Sequence, residues 1–60
     1  MITITIKTDN DAFADGNLDY EVARILRAIA DNAIMVGIDS RGVFADINGN
    51  PVCEVEAVLA

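Results

Sequence analysis

Histidine and tryptophan are absent, cysteine and proline occur once each, and only four cations stand against ten carboxylates. Each scarcity removes a class of protein. One cysteine, Cys53, forms no intrachain disulfide, and a lone thiol fits a reducing cytosol. Without histidine or a cysteine pair the common zinc ligand sets cannot be assembled. The same gap removes Ser-His and Cys-His nucleophile pairs. The shortage of cations leaves a formal charge of −6, which repels nucleic-acid phosphates. That charge fits a basic protein partner or plain solubility. No apolar run approaches the roughly 18 residues of a membrane span. The opening Met1–Lys7 alternates, with no continuous apolar stretch, so neither a signal peptide nor a membrane helix is expected.

What is present is aliphatic. The 60 residues are 53% hydrophobic, enough for one small domain of marginal stability. Ile2, Ile4 and Ile6 alternate with Thr3, Thr5 and Lys7, the period of a half-buried strand. Asp9 to Asn17 is rich in turn formers, and its Phe13 is expected to anchor the loop to the core. Leu18, Val22, Ile25, Leu26, Ile29 and Ala33 make one stripe of a helix running from Leu18 to about Met35. Glu21, Arg24, Arg27 and Asp31 occupy its other side. Asn17 is the expected side-chain N-cap, with Asp19 and Glu21 near the positive end of the helix dipole. Gly37 is the expected left-handed C-cap, with Ile38 folding back on the last turn.

Asp39 to Gly42 reads as a turn, and Val43 to Ile47 and Val52 to Leu59 read as strands. Asn48-Gly49 between them is the favoured pair for a two-residue type I′ hairpin, which sets Phe44 opposite Cys53. Pro51, lacking an N–H, belongs at a strand start or edge. The order strand–helix–strand–strand is an α+β fold. It places one helix on a three-stranded antiparallel sheet, with the third strand in the middle. The expected core is Ile2, Ile4, Ile6, Phe13, Val22, Ile25, Leu26, Ile29, Phe44, Cys53 and Val55. The sheet's other face carries Thr3, Thr5, Val43, Ala45, Ile47, Val52, Glu54, Glu56 and Val58. Its five apolar members, Val43, Ala45, Ile47, Val52 and Val58, make it a candidate homodimer face.

Catalysis has little to stand on. Ser40 lies in a turn with no base nearby, Cys53 reads as a core residue, and Glu54 and Glu56 share a face without a cleft. No enzymatic activity and no cofactor are expected. Asp46-Ile47-Asn48-Gly49-Asn50 begins like a calcium loop, but Pro51 stands where its glycine belongs and Ala57 where its glutamate does. Asp9, Asp11 and Asp15 form a looser acidic loop, and no metal site is expected there. No glycine-rich phosphate loop occurs. The acidic run itself is the more informative feature. Asp9, Asp11, Asp15, Asp19 and Glu21 follow one another with no cation between them, an electronegative patch suited to a basic protein.

The segments Ile2–Asn10, Ala12-Phe13, Glu21–Arg27 and Asp46–Val52 together resemble a family of small phage and prophage proteins of unknown function. The resemblance spans most of the chain, and its motifs are structural: strand, anchor, helix face and hairpin. Cys53 stands where that family usually has glycine. The resemblance implies a cytoplasmic protein of an infected bacterium. It also implies a role like that of short acidic phage products, anti-CRISPR inhibitors among them, which obstruct host nucleic-acid-binding complexes by contact. The expected partner is a host protein with a basic surface, bound without direct contact to nucleic acid or membrane. The alternative is a structural or accessory phage protein that dimerises through its open sheet face.

Overall fold

The computed structural model describes residues 1–38 and 40–58. The chain forms strand β1 (Ile2–Ile6), a short 3-10 helix (Asp11–Phe13), helix α1 (Leu18–Val36) and strands β2 (Arg41–Ala45) and β3 (Pro51–Ala57). The sheet is antiparallel in the order β1-β3-β2, an α+β arrangement with β3 in the centre. The isoleucines of β1 stand opposite β3's apolar residues: Ile2 pairs with Ala57, Ile4 with Val55 and Ile6 with Cys53. Directly paired residues share a face, so one side of the sheet is aliphatic and packs under α1. Phe44 pairs with Cys53 on that side. No helix among the described residues is long and apolar enough to cross a membrane.

The strands differ in detail from their sequence-derived bounds. β2 begins at Arg41, so Arg41 and Gly42 are strand residues, while Asp46 and Ile47 leave the ladder. The turn is not type I′. Gly49 has φ 88°, but Asn48 is not in the left-handed region. Gly49 N–H donates to Asp46 C=O at 3.0 Å, and Asp46 N–H to Asn50 C=O at 2.8 Å. This is a three-residue loop, Ile47-Asn48-Gly49, whose glycine supplies the positive φ of a bulge. The register of Phe44 with Cys53 survives because a second irregularity follows. Ala45 pairs with Pro51, so Val52 is an extra residue in β3. A bulge of this kind breaks the two-residue alternation. Val52 and Cys53 are therefore both buried, at 6% and 2% exposure. Val52 belongs to the core and not to the outer face. Leu59, assigned by pattern to the inner face, lies outside the described residues, as does Asp39 of the expected turn.

Helix α1 ends one residue later than expected. Gly37 N–H still donates to Ala33 C=O at 3.0 Å. Its φ of 89° and ψ of 179° lie outside the left-handed helical well, in a region open essentially to glycine alone. At the other end Asn17 is itself near-helical, with φ −88° and ψ −1°, and makes no side-chain cap. Its carbonyl accepts the Glu21 N–H at 2.9 Å instead. Helical dihedrals at that position carry its side chain away from the orphan amides.

The core sits toward the start of α1. Ala12, Phe13, Ile25, Val52, Cys53 and Val55 form it, with Ile6, Val22, Ile29 and Phe44 packed at its margin. Phe13 anchors the loop as its sequence position indicates. Ile2, Ile4 and Leu26 do not join the core and are about half exposed. The second half of α1 overhangs the sheet and leaves an apolar groove of about 190 Å³. Ile29 and Ala33 line it from the helix, Ile2, Ile4, Phe44 and Val55 from the sheet. Small residues at Ala33 and Gly42 leave the wedge unfilled.

Candidate functional site

Two buried carboxylates organise the end of the molecule where α1 starts and the β2–β3 loop turns. Asp46 Oδ1 accepts the backbone N–H of Asn48 at 2.9 Å and of Asn50 at 2.8 Å. Its Oδ2 accepts Nδ2 of Asn10 at 2.8 Å and of Asn50 at 3.2 Å. Asp46 thus ties the loop to itself and to the segment after β1. Glu21 Oε1 pairs with Arg24 Nε at 2.5 Å, and its Oε2 accepts the Ile47 N–H at 2.8 Å. Arg24 Nη2 also donates to Ala45 C=O at 3.0 Å. The helix is thereby clamped to the loop through charge-assisted bonds.

These contacts set the acidity of both groups. The Arg24 guanidinium holds the Glu21 carboxyl below its ordinary value, outweighing burial, with help from the Ile47 N–H. Burial pushes Asp46 up, but the donors from Asn50, Asn10 and Asn48 together outweigh it and leave the carboxyl lowered. Each is a charged, fully bonded structural anion. Glu21 is therefore not part of an open acidic surface, contrary to its expected place there. An i,i+3 arginine on its own helix neutralises it, and burial removes it from solvent. Asp46 carries a sequence signal for this role. An aspartate two residues before an asparagine can accept that residue's backbone N–H in an Asx turn.

The other four acidic positions behave differently. Asp9, Asp11, Asp15 and Asp19 are all exposed. The ion pairs among the described residues are Arg24–Glu21 and Arg41–Glu54, so none of the four carboxylates is neutralised there. Asp15 has φ 57°, a conformation that aspartate tolerates better than most residues. Beside them Tyr20 and Ile47 stand 84% and 71% exposed. With Ala12, Asn17 and Glu21 they line a shallow hollow of about 450 Å³. Among the described residues no three potential metal ligands come together. Cys53 is buried, and burial pushes its thiol up, which disfavours the thiolate. Ser40 is exposed and accepts the Ala57 N–H through its backbone carbonyl.

The expected homodimer face is broken up. Val43, Ala45, Ile47 and Val58 are exposed, but Val52 has turned inward. Ile47 has left the strand for the loop, and an Arg41–Glu54 pair at 3.0 Å lies on the same face as Val43. In comparisons with family models, characterised proteins and solved structures, nothing matches this chain, and the functional reading rests on this geometry.

Proposed function

We propose that this chain is a non-catalytic interaction protein that presents its acidic end to a basic protein surface. The observation that carries this reading is the set of four exposed, unneutralised carboxylates, Asp9, Asp11, Asp15 and Asp19, beside Tyr20 and Ile47. Protein interfaces favour an aromatic or aliphatic anchor within a polar rim. Here Tyr20 and Ile47 are the anchors and the carboxylates the rim. The Glu21–Arg24 and Asp46 clamps hold both segments in place before binding, which reduces the ordering cost of association. A net charge of −6 favours a host protein with a nucleic-acid-binding groove, and disfavours nucleic acid itself and anionic membranes. The role is that of a phage-type inhibitor or modulator in the bacterial cytoplasm, anti-CRISPR-like in its mode of obstruction.

The test is capture of partners from bacterial lysate by the intact protein, followed by kinetics on the captured protein. Replacing Asp9, Asp11 and Asp15 together with asparagine lowers the association rate while the fold persists, because exposed charges steer encounter and asparagine keeps the turn chemistry. Affinity falls as salt rises, since exposed charges are screened over about 8–10 Å at physiological ionic strength. A partner bound by the triple variant with unchanged kinetics at low salt refutes the acidic-contact reading.

A further inference from the structure

The side chain at the tip of the β2–β3 loop stands clear of the protein. Asn48 is exposed, and its backbone N–H bonds to Asp46 Oδ1 at 2.9 Å. Among the described residues its carboxamide makes no hydrogen bond. Gly49 follows, with φ 88° and open space where a side chain would stand. An asparagine carboxamide is an electrophile. The backbone nitrogen of the following residue is the nucleophile that can close a five-membered ring with it. A side chain on that following residue crowds the closure, and glycine has none.

The other four asparagines are each held out of this reaction. Asn50 precedes Pro51, which has no N–H to ionise. Asn10 donates its Nδ2 to Asp46 Oδ2 at 2.8 Å. Asn32 lies within α1, and Asn17 is near-helical, with ψ −1°. Helical dihedrals turn the next nitrogen away from the side chain, and Leu18 and Ala33 both add a Cβ there.

We propose that Asn48 is a modification site, deamidated without an enzyme by the backbone nitrogen of Gly49. Hydroxide removes the Gly49 amide proton, and the nitrogen attacks Asn48 Cγ. The N–Cγ bond forms, the Cγ–Nδ2 bond breaks, and Nδ2 departs as ammonia with protons from water. Water then opens the cyclic imide at either carbonyl, with no change of oxidation state. Opening at the side-chain carbonyl gives an aspartyl residue. Opening at the main-chain carbonyl gives an isoaspartyl residue, whose chain runs on through Cβ. Both products add one negative charge to the −6. Gly49 N–H donates to Asp46 C=O at 3.0 Å, so the loop opens before the nitrogen ionises. The folded chain therefore reacts more slowly than an unfolded one. The isoaspartyl form adds a methylene to a loop whose length is fixed by that bond and by the Glu21 and Asp46 contacts. It also sets a second carboxylate beside Asp46. The product thus loosens the loop from α1, whether or not the acidic end binds a partner.

The test is incubation of the full chain, native and unfolded in urea, in mildly acidic and mildly alkaline buffer. Trypsin then releases the peptide Gly42–Ala60, and fragment masses locate the amide-to-acid change. Asn48 is expected to convert first in the native chain, at a rate that rises about tenfold per pH unit, as the ionised fraction of a weak acid does. Asn48→Ala abolishes the change. The isoaspartyl form, separated by anion exchange, melts about 4–8 °C below the parent. Asn48→Asp supplies the charge with an unaltered main chain and melts between the two. Conversion of another asparagine before Asn48 overturns the proposal. So does an Asn48 that stays intact in both states, or one wholly intact in the native chain after the unfolded chain has fully converted. An isoaspartyl form that melts with the parent overturns the loosening of the loop.

Discussion

Ile25→Ala and Ile29→Ala remove the same atoms from the same helix stripe, yet the structure assigns them different costs. Ile25 is fully buried, at 0% exposure, within the cluster of Phe13, Val52, Cys53 and Val55. Truncation there removes three carbons at about 0.8 kcal/mol each and leaves a closed cavity, for a total of about 2–5 kcal/mol. Ile29 is only partly buried and borders the open groove. Its truncation enlarges a space already open to water, so a cost of about 1–2 kcal/mol is expected. A domain of this length holds roughly 3–9 kcal/mol in all. Ile25→Ala therefore lowers the melting temperature by about 10 °C or more and leaves a substantial unfolded population, whereas Ile29→Ala stays folded. Urea titration followed by helix circular dichroism measures both, and an unchanged denaturant slope checks that the unfolded states are comparable. Equal losses, or a larger loss at Ile29, refute the placement of the core at the start of α1. Measuring the monomer at low concentration keeps any dimer contribution out of the comparison.

Other outcomes follow from the loop and its carboxylates. Gly49→Val places a β-branched residue at φ 88° and is expected to cost about 1–3 kcal/mol. Asn48→Ala, at a position without positive φ, stays within about 0.5 kcal/mol; similar losses at both, read by thermal melts, would restore the type I′ turn. Glu21 and Asp46 both have pKa values lowered in the folded state. Their contribution is complete above the unfolded values of about 4.3 and 3.9 and is lost as pH falls through the lower folded values. Melting temperature is therefore expected to fall on acidification below about pH 4, with a shallower fall for Glu21→Gln combined with Asp46→Asn. A double variant with a wild-type acid profile would show that neither carboxylate is the linked group.

Local chemistry made much of the fold legible. The Ile2-Ile4-Ile6 alternation, the Leu18 helix start and the strand order all stand in the structure, because each follows from side-chain period or from the need to pair short strands. The register of Phe44 with Cys53 also agrees with the structure, but it arises differently: a longer loop and a bulge at Val52 offset each other. A bulge depends on how two strands close around a particular turn, and strict alternation carries no sign of it. The exposure of Ile2, Ile4 and Leu26 was not legible for a related reason. Periodicity says which side of a helix is apolar, but not how closely the helix follows the sheet along its length. At the acidic end, spacing grouped Glu21 with four aspartates as one patch. Only tertiary contact separates it from them, by supplying the Ile47 N–H and the buried pairing with Arg24.

The central position of β3 has a consequence for how the protein comes into being. Of the three strands β3 comes last in the chain, and both others pair with it. Met1 and Val58 bond across a separation of 57 residues, so β1 is made first and placed last. From the end of β1 at Ile6 to β3 at Pro51–Ala57, ribosomal rates of 5–20 residues per second leave about 2–10 s before its partner exists. The sheet therefore cannot assemble before β3 has been made, and only α1 and then the β2–β3 hairpin have local contacts to form early. In that interval Ile2, Ile4 and Ile6 have no apolar strand to face. When β3 does appear it is briefly an edge, with Cys53 and Val55 on show, until β1 closes the ladder. Folding of the sheet thus waits for β3, and its slow step is the long-range closure of β1 onto β3.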